Sequence, residues 1–294
     1  MRFVSVMEAR DPAGGWELLD QGNCEGAGSV GELAGRPTGW CLERNHRQVM
    51  FAEGPELSVF SETTSAPVSS PHAHPAWTLL LPVDGGTVTV TTGDVARVHT
   101  DGVLLAPQYQ YRAATDGPHV AVYLNAWMSA RPDNLRPRVI DAATTRRLLD
   151  ALAVDDGIDL SAGVGEVAPI VGEIGPIDSR LAIVIAALPE ADRLEILAAE
   201  VGMSPSRLRA LARSGVGVPL TQVRLWSRLT RAIAWLPYVP TAVAAAAAGF
   251  ADQAHLSRTA RRFLGRSPRE LSLRSLELRP PDDRQCGRGR PRRP

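Results

Sequence analysis

The chain has 294 residues, 44% of them hydrophobic and 22% charged, which is enough to bury the cores of two domains and too apolar for a disordered protein. No run approaches ~18 uninterrupted apolar residues, and the N-terminus meets its first acid at Glu8 without a signal-type apolar stretch, so a cytoplasmic protein with no membrane span is expected. The zero formal charge hides an asymmetry: residues 1–189 carry 13 Arg against 23 Asp and Glu (−10), residues 190–294 carry 19 Arg against 9 (+10), and lysine is absent. An all-guanidinium basic half suits bidentate contacts to phosphate and base edges, whereas the three scattered cysteines Cys24, Cys41 and Cys286 suit neither a disulfide framework nor a cysteine zinc site.

Residues 1–140 read as short strands and turns. LSVFSETT, WTLLLPV, GTVTVTT, ARVHTDGVLLAP and HVAVYLNAWM are β-rich and divided by Gly, Pro and Asp-Gly punctuation, as in a small barrel or sandwich. Over 141–153 the period turns helical, with Leu148, Leu149 and Leu152 on one stripe. Residues 141–177 are therefore read as a helix followed by a Gly- and Pro-containing linker over 155–177. Residues 178–276 form a helical domain, and 277–294 a disordered basic tail.

Within the helical domain the plan helix, glycine turn, helix occurs twice. In the first unit a helix over 194–201 precedes Gly202, Ser204 caps the next helix, and Pro205 takes its first position. Leu208 and Leu211 face inward there, leaving Ser204, Ser206, Arg207, Arg209, Ala210 and Arg213 for a DNA groove. In the second unit a helix starts at Thr241, stops at Gly249 and folds Phe250 back, and Asp252 caps a helix over 253–263. Leu256, Ala260 and Phe263 form its buried stripe, and Asp252, Gln253, His255, Arg258, Thr259, Arg261 and Arg262 remain for base and phosphate contacts. One amphipathic helix over 219–236 joins the units, with Arg224 and Arg228 off its apolar stripe as further DNA contacts.

These residues resemble the DNA-binding domain of AraC-type (AraC/XylS) transcription regulators. GFADQ at 249–253, LSR at 256–258 and GRSPRE at 265–270 are similar to that family's C-terminal signature. LAAEVGMSPSRL at 197–208 and RLWSRL at 224–229 are similar to its first helix-turn-helix and its connecting helix. The resemblance implies seven helices, with two recognition helices entering successive major grooves roughly 34 Å apart. Ala212 and Ala260 depart from the aromatics usual in that family, and Thr241 and Ala244 from its aliphatics, which predicts a thinner core around the second unit.

PHAHPAWT at 71–78, flanked by strands, resembles the cupin-like barrel found in many such regulators. His-x-His on a strand puts both imidazoles on one face, as a metal site needs. The Glu of the metal-binding cupin pattern is missing, and Tyr111 stands where its third His is expected. The expected fold class is thus multidomain, a cupin-like β-barrel followed by an all-α domain with two helix-turn-helix motifs. The expected function is that of a sequence-specific DNA-binding regulator, not an enzyme, with no cofactor. An uncharged or aromatic effector would bind near His72, His74, Trp77, Tyr109 and Tyr111. Expected partners are promoter DNA, that effector, a second copy in a homodimer, and RNA polymerase if the protein activates. The competing reading is a metal-dependent cupin enzyme with a helical appendage, which requires a complete ligand set.

Overall fold

Antiparallel strands that are mostly apolar and buried at nearly every position need cover on both faces, and WTLLLP and HVAVYLN are at the centre of a sheet that has it. The computed structural model describes residues 38–44, 47–93, 96–128, 136–153, 158–172, 177–191 and 193–271, together with the backbone of strands β1 (Val6–Ala9) and β2 (Trp16–Leu19). The tail over 277–294, Cys24 and Cys286 lie outside the described residues.

The main sheet has seven strands, in the order β12-β9-β6-β11-β5-β4-β3. They are β3 (Gly39–Arg44), β4 (Arg47–Glu53), β5 (Leu57–Glu62), β6 (Ala76–Pro82), β9 (Val103–Leu105), β11 (His119–Asn125) and β12 (Arg138–Val139). A smaller sheet, β10-β7-β8, is built from β7 (Val88–Thr92), β8 (Ala96–Thr100) and β10 (Arg112–Thr115). Alternation along β6 and β11 sends Leu80 and Ala121 toward Val88, Val90 and Tyr111 between the sheets. The intervening Leu79, Leu81, Val120, Val122 and Leu124 go to the opposite face, against α1 (Ala142–Leu152) and α2 (Leu160–Val171). Strands β3 and β4, over 39–53, were not among the strands read from the sequence.

Helix α2 departs from the linker expected over 155–177. Asp159 caps it by accepting from the Ala162 N–H at 2.9 Å, and Val167 and Val171 are buried at i, i+4. One of its glycines marks close packing: a Cβ at Gly163 would stand 2.5 Å from a Leu152 methyl.

The C-terminal region holds seven helices among the described residues, as the resemblance implies: α3 (Ser179–Ala187), α4 (Leu194–Glu200), α5 (Pro205–Gly215), α6 (Leu220–Trp235), α7 (Thr241–Ala247), α8 (Gln253–Leu264) and α9 (Pro268–Leu271). The first unit closes its own core from Leu181, Val184, Leu197, Leu208, Val216 and Val223, joined by Ala126 from beyond β11. The second unit does not close on itself. Its alanines Ala244, Ala245, Ala248 and Ala260 are fully buried among Trp226, Trp235, Phe250 and Phe263, and the same cluster continues into Trp40, Leu42, Val49 and Phe51 of β3 and β4. The volume missing from the small-sided helix is supplied by aromatics of α6 and by the barrel.

Candidate nucleic-acid interface and adjoining cavity

In the first unit Gly202 takes φ +66°, a left-handed conformation that a glycine adopts without steric cost. The Ser204 hydroxyl accepts from the Arg207 N–H at 3.3 Å and opens α5 with Pro205 in its first turn. Leu208 and Ala212 are buried and Leu211 is half-buried, while Ser204, Ser206, Arg207, Arg209, Ala210 and Arg213 are exposed. Arg209 lies 3.4 Å from Glu195 in an exposed pair, a contact weak enough to exchange for a phosphate or a base. Arg207 and Arg213 make no ion pair among the described residues.

The second unit repeats the geometry. Gly249 has φ +79°, and the Asp252 carboxylate accepts from the His255 N–H at 2.5 Å to cap α8. Gln253, Arg258, Arg261 and Arg262 are exposed. His255 is half-buried, edge-on to Phe250, with ring centroids 5.1 Å apart, and the Arg262 guanidinium lies over Phe263 at 5.4 Å.

Three expected DNA contacts are placed elsewhere. Thr259 is 5% exposed, because it lies beside Ala260 on the inner edge of the stripe. Arg224 donates from Nε to the Leu188 carbonyl at 3.2 Å. Arg228 donates from Nε to the Pro189 carbonyl at 3.1 Å and from Nη1 to the Gly249 carbonyl at 2.6 Å. Periodicity marks such residues as lying off the apolar stripe; it does not reveal the carbonyls at the ends of neighbouring helices.

Behind the second unit the barrel and the helices enclose a cavity of about 80 Å³. The barrel contributes Phe51, Phe60, Ser69, His72, Tyr111, His119 and Tyr123, and the helical domain contributes Trp226, Thr230, Ile233, Leu264, Arg266 and Leu271. Of the five expected effector residues, His72 and Tyr111 line this cavity. His74 lies behind that wall, packed on Tyr111, Tyr123 and Trp226. Tyr109 bonds Thr92 at 2.9 Å instead, and Trp77 faces the α1–α2 side of the sheet, since alternation turns it away from Ala76 and Thr78. The helical-domain wall, with Trp226 and Arg266, was not foreseen, because a surface shared by two domains has no local sequence signal.

The His-x-His pair is close, with ring centroids 5.0 Å apart. The His72 Nδ1 donates to the Ser70 carbonyl at 2.7 Å, and Tyr111 bonds His74 Nδ1 at 3.0 Å. His74 Nε2 is buried with no hydrogen-bond partner, and burial holds both imidazoles below the usual histidine range. Among the described residues no group of three His, Cys, Asp or Glu is arranged to hold a metal ion.

Beside Arg266, which lines the cavity, Glu62, 2% exposed, accepts from Arg266 at 3.1 Å, from Arg47 and from the Thr64 hydroxyl at 2.9 Å. Burial alone would raise its carboxyl, but the flanking Arg266 and Arg47 hold it below the usual carboxylate range. Further bonds join barrel to helices: Trp40 Nε1 donates to the Ile233 carbonyl at 3.0 Å, Ser70 to the Gly265 carbonyl at 2.9 Å, and Thr230 to Glu53 at 2.6 Å.

A family model described as a helix-turn-helix domain matches residues 197–274. No curated protein sequence matches the chain. Among solved structures, ToxT from Vibrio cholerae is similar at 12% identity with a TM-score of 0.50, covering 74% of this chain and 98% of that one. ToxT from Vibrio cholerae O395, bound to (E)-4-(8-methylnaphthalen-1-yl)but-3-enoic acid, is similar at 11% identity with a TM-score of 0.50, covering 74% of this chain and 98% of that one. No helix among the described residues is long and apolar enough to cross a membrane. The sheet-rich N-terminal domain followed by seven helices is the ToxT fold. The region over 197–274, with its two capped helices α5 and α8, is a helix-turn-helix domain.

Proposed function

We propose that this chain is an AraC-type DNA-binding transcription regulator, that it reads its operator with α5 and α8, and that a small molecule in the interdomain cavity controls the reading. The observation that carries the proposal is that barrel and second helix-turn-helix unit each build part of one cavity. Any occupant therefore touches both the sensing and the reading halves, and acts by its different affinities for their arrangements. A ToxT structure holds an aryl-butenoic acid, and the aromatic wall of Phe51, Phe60, Tyr111, Tyr123 and Trp226 suits a compact aromatic or otherwise apolar effector. His72 and Tyr111 are the proposed effector contacts from the barrel, with Trp226 and Thr230 from the helices.

On DNA, Ser206, Arg207, Arg209 and Arg213 of α5 and Gln253, Arg258, Arg261 and Arg262 of α8 are the proposed contacts. The reading extends to a cytoplasmic homodimer, with RNA polymerase as a partner at activated promoters. Sedimentation of the full chain, free and on operator, measures the stoichiometry.

Gel-shift titration on fragments upstream of its own and neighbouring genes tests the proposal. A sequence-selective shift at moderate salt is expected, with affinity altered by the co-purified small molecule once mass spectrometry has identified it. Arg258→Ala and Arg209→Ala are each expected to weaken specific binding by about 1–3 kcal/mol. Wild-type affinity in both would mean that the reading surfaces lie elsewhere.

A further inference from the structure

Three arginines of α6, spaced i, i+4 and i+7, all meet the segment between α3 and α4. Arg224 holds the Leu188 carbonyl at 3.2 Å, Arg228 holds the Pro189 carbonyl at 3.1 Å, and Arg231, with 14% of its side chain exposed, pairs with Glu190. These carbonyls follow the C-terminus of α3, where a helix concentrates unpaired acceptors and negative potential. The α3–α4 corner of the first unit is thus bolted to the connecting helix.

Arg228 also reaches the second unit. Its Nη1 donates to the Gly249 carbonyl at 2.6 Å, in the turn between α7 and α8. The guanidinium lies against that turn so closely that a Cβ at Gly249 would stand 3.0 Å from its Nε and 3.1 Å from its Cζ. One planar group with donors in a rigid fork therefore grips a backbone carbonyl of each helix-turn-helix unit. Gly249 has two reasons to be glycine, its φ of +79° and the approach of the arginine.

We infer that Arg228 is a positioning residue: it fixes the separation and rotational phase of α5 relative to α8, and so sets the half-site spacing the protein accepts. A lysine could keep the charge but not both bonds in one plane. The consequence is measurable because one inserted base pair moves a half-site by about 3.4 Å and rotates it by about 35°. The readout rests on the DNA-binding reading; the brace itself rests on the two carbonyl contacts.

The experiment uses full-length wild type, Arg228→Ala and Arg228→Lys on operator duplexes whose inter-groove spacing is native or changed by one base pair. Wild type is expected to lose about a hundredfold in affinity on the altered spacings. Both variants are expected to lose about tenfold on the native spacing, to discriminate between spacings at least several-fold less, and to keep the wild-type salt dependence. A spacing penalty equal to wild type in both variants overturns the inference. So does a uniform loss in Arg228→Ala with the salt slope reduced by about 1, which marks a phosphate contact. Circular dichroism checks folding, and Arg228→Lys carries the test if the alanine variant does not fold.

If wild type binds no duplex selectively, the DNA reading fails and the brace is still measured without DNA. Spin labels at the exposed Ala210 and Ala254 are then expected to give a narrow distance distribution in wild type and a broad one in Arg228→Lys. Equal widths overturn the inference.

Discussion

A carboxylate at 2% exposure is costly unless its charge is matched, and Glu62 is matched from both halves of the molecule, by Arg47 of β4 and by Arg266 after α8. Glu62→Gln leaves the shape and removes the charge, stranding two guanidinium groups. The expected loss is about 1–3 kcal/mol in urea unfolding, with the difference from wild type vanishing at acid pH as the native carboxyl takes up its proton below the usual 4.5. The buried imidazoles act in a separate window. His72, His74 and His119 are held below the usual 6.5 by burial, so the unfolded chain binds more protons than the folded one once the pH falls beneath that value. Stability is therefore expected to be level above about pH 6.5 and to decline below it. Thermal melts from pH 8 to 5 check this, and His74→Leu should flatten the decline. At this scale the caps were legible, since Ser204 and Asp252 bond only to neighbours in sequence. Arg224 and Arg228 were not, because their partners are 36, 39 and 21 residues away.

At the scale of elements, glycine carried opposite meanings in two places. At 249 and 265 it ends a helix in the left-handed region, at 249 as the spacing predicts. Within α2 it permits close packing on Leu152, and a Gly- and Pro-containing stretch read locally looks like a linker. Asp159 and the Val167–Val171 spacing were the available signals for that helix. Gly265 combines strain and contact: a Cβ there would lie 2.7 Å from His72 Nδ1 and 3.0 Å from the Ser70 carbonyl. Gly265→Ala is expected to cost about 2 kcal/mol or more in urea unfolding and to loosen α8 from the barrel. Exchange of the Ala73 amide, which donates to the Arg262 carbonyl at 3.4 Å, should rise with it. Strands β3 and β4 lack a local signal for a comparable reason: they roof the second unit, and that roof exists only in three dimensions.

For the whole molecule, one hydrophobic cluster runs from Trp40 and Phe51 through Trp226 to Ala244 and Phe263. A helix-turn-helix unit whose core is finished by another domain cannot unfold independently of it. Scanning calorimetry of the full chain should show the barrel and the second unit melting together, and Trp40→Phe, which removes the bond to the Ile233 carbonyl, should lower that shared transition by about 1–3 kcal/mol. Two separately melting units at those positions would contradict the shared core. The fold class and both helix-turn-helix units were legible because their periodicity and caps are local. The cavity was not, since its lining comes from segments as far apart as Phe51 and Leu271.

That divided lining has a thermodynamic corollary. Because neither domain owns the cavity, under the proposed function occupancy and DNA contact would be two ligations of one equilibrium, and their influence would be mutual. Every factor by which a bound molecule lowers the affinity for an operator is the factor by which that operator evicts the molecule. A promoter is then itself an effector of the sensor, and strong and weak sites in the same cell would respond to different concentrations of one signal.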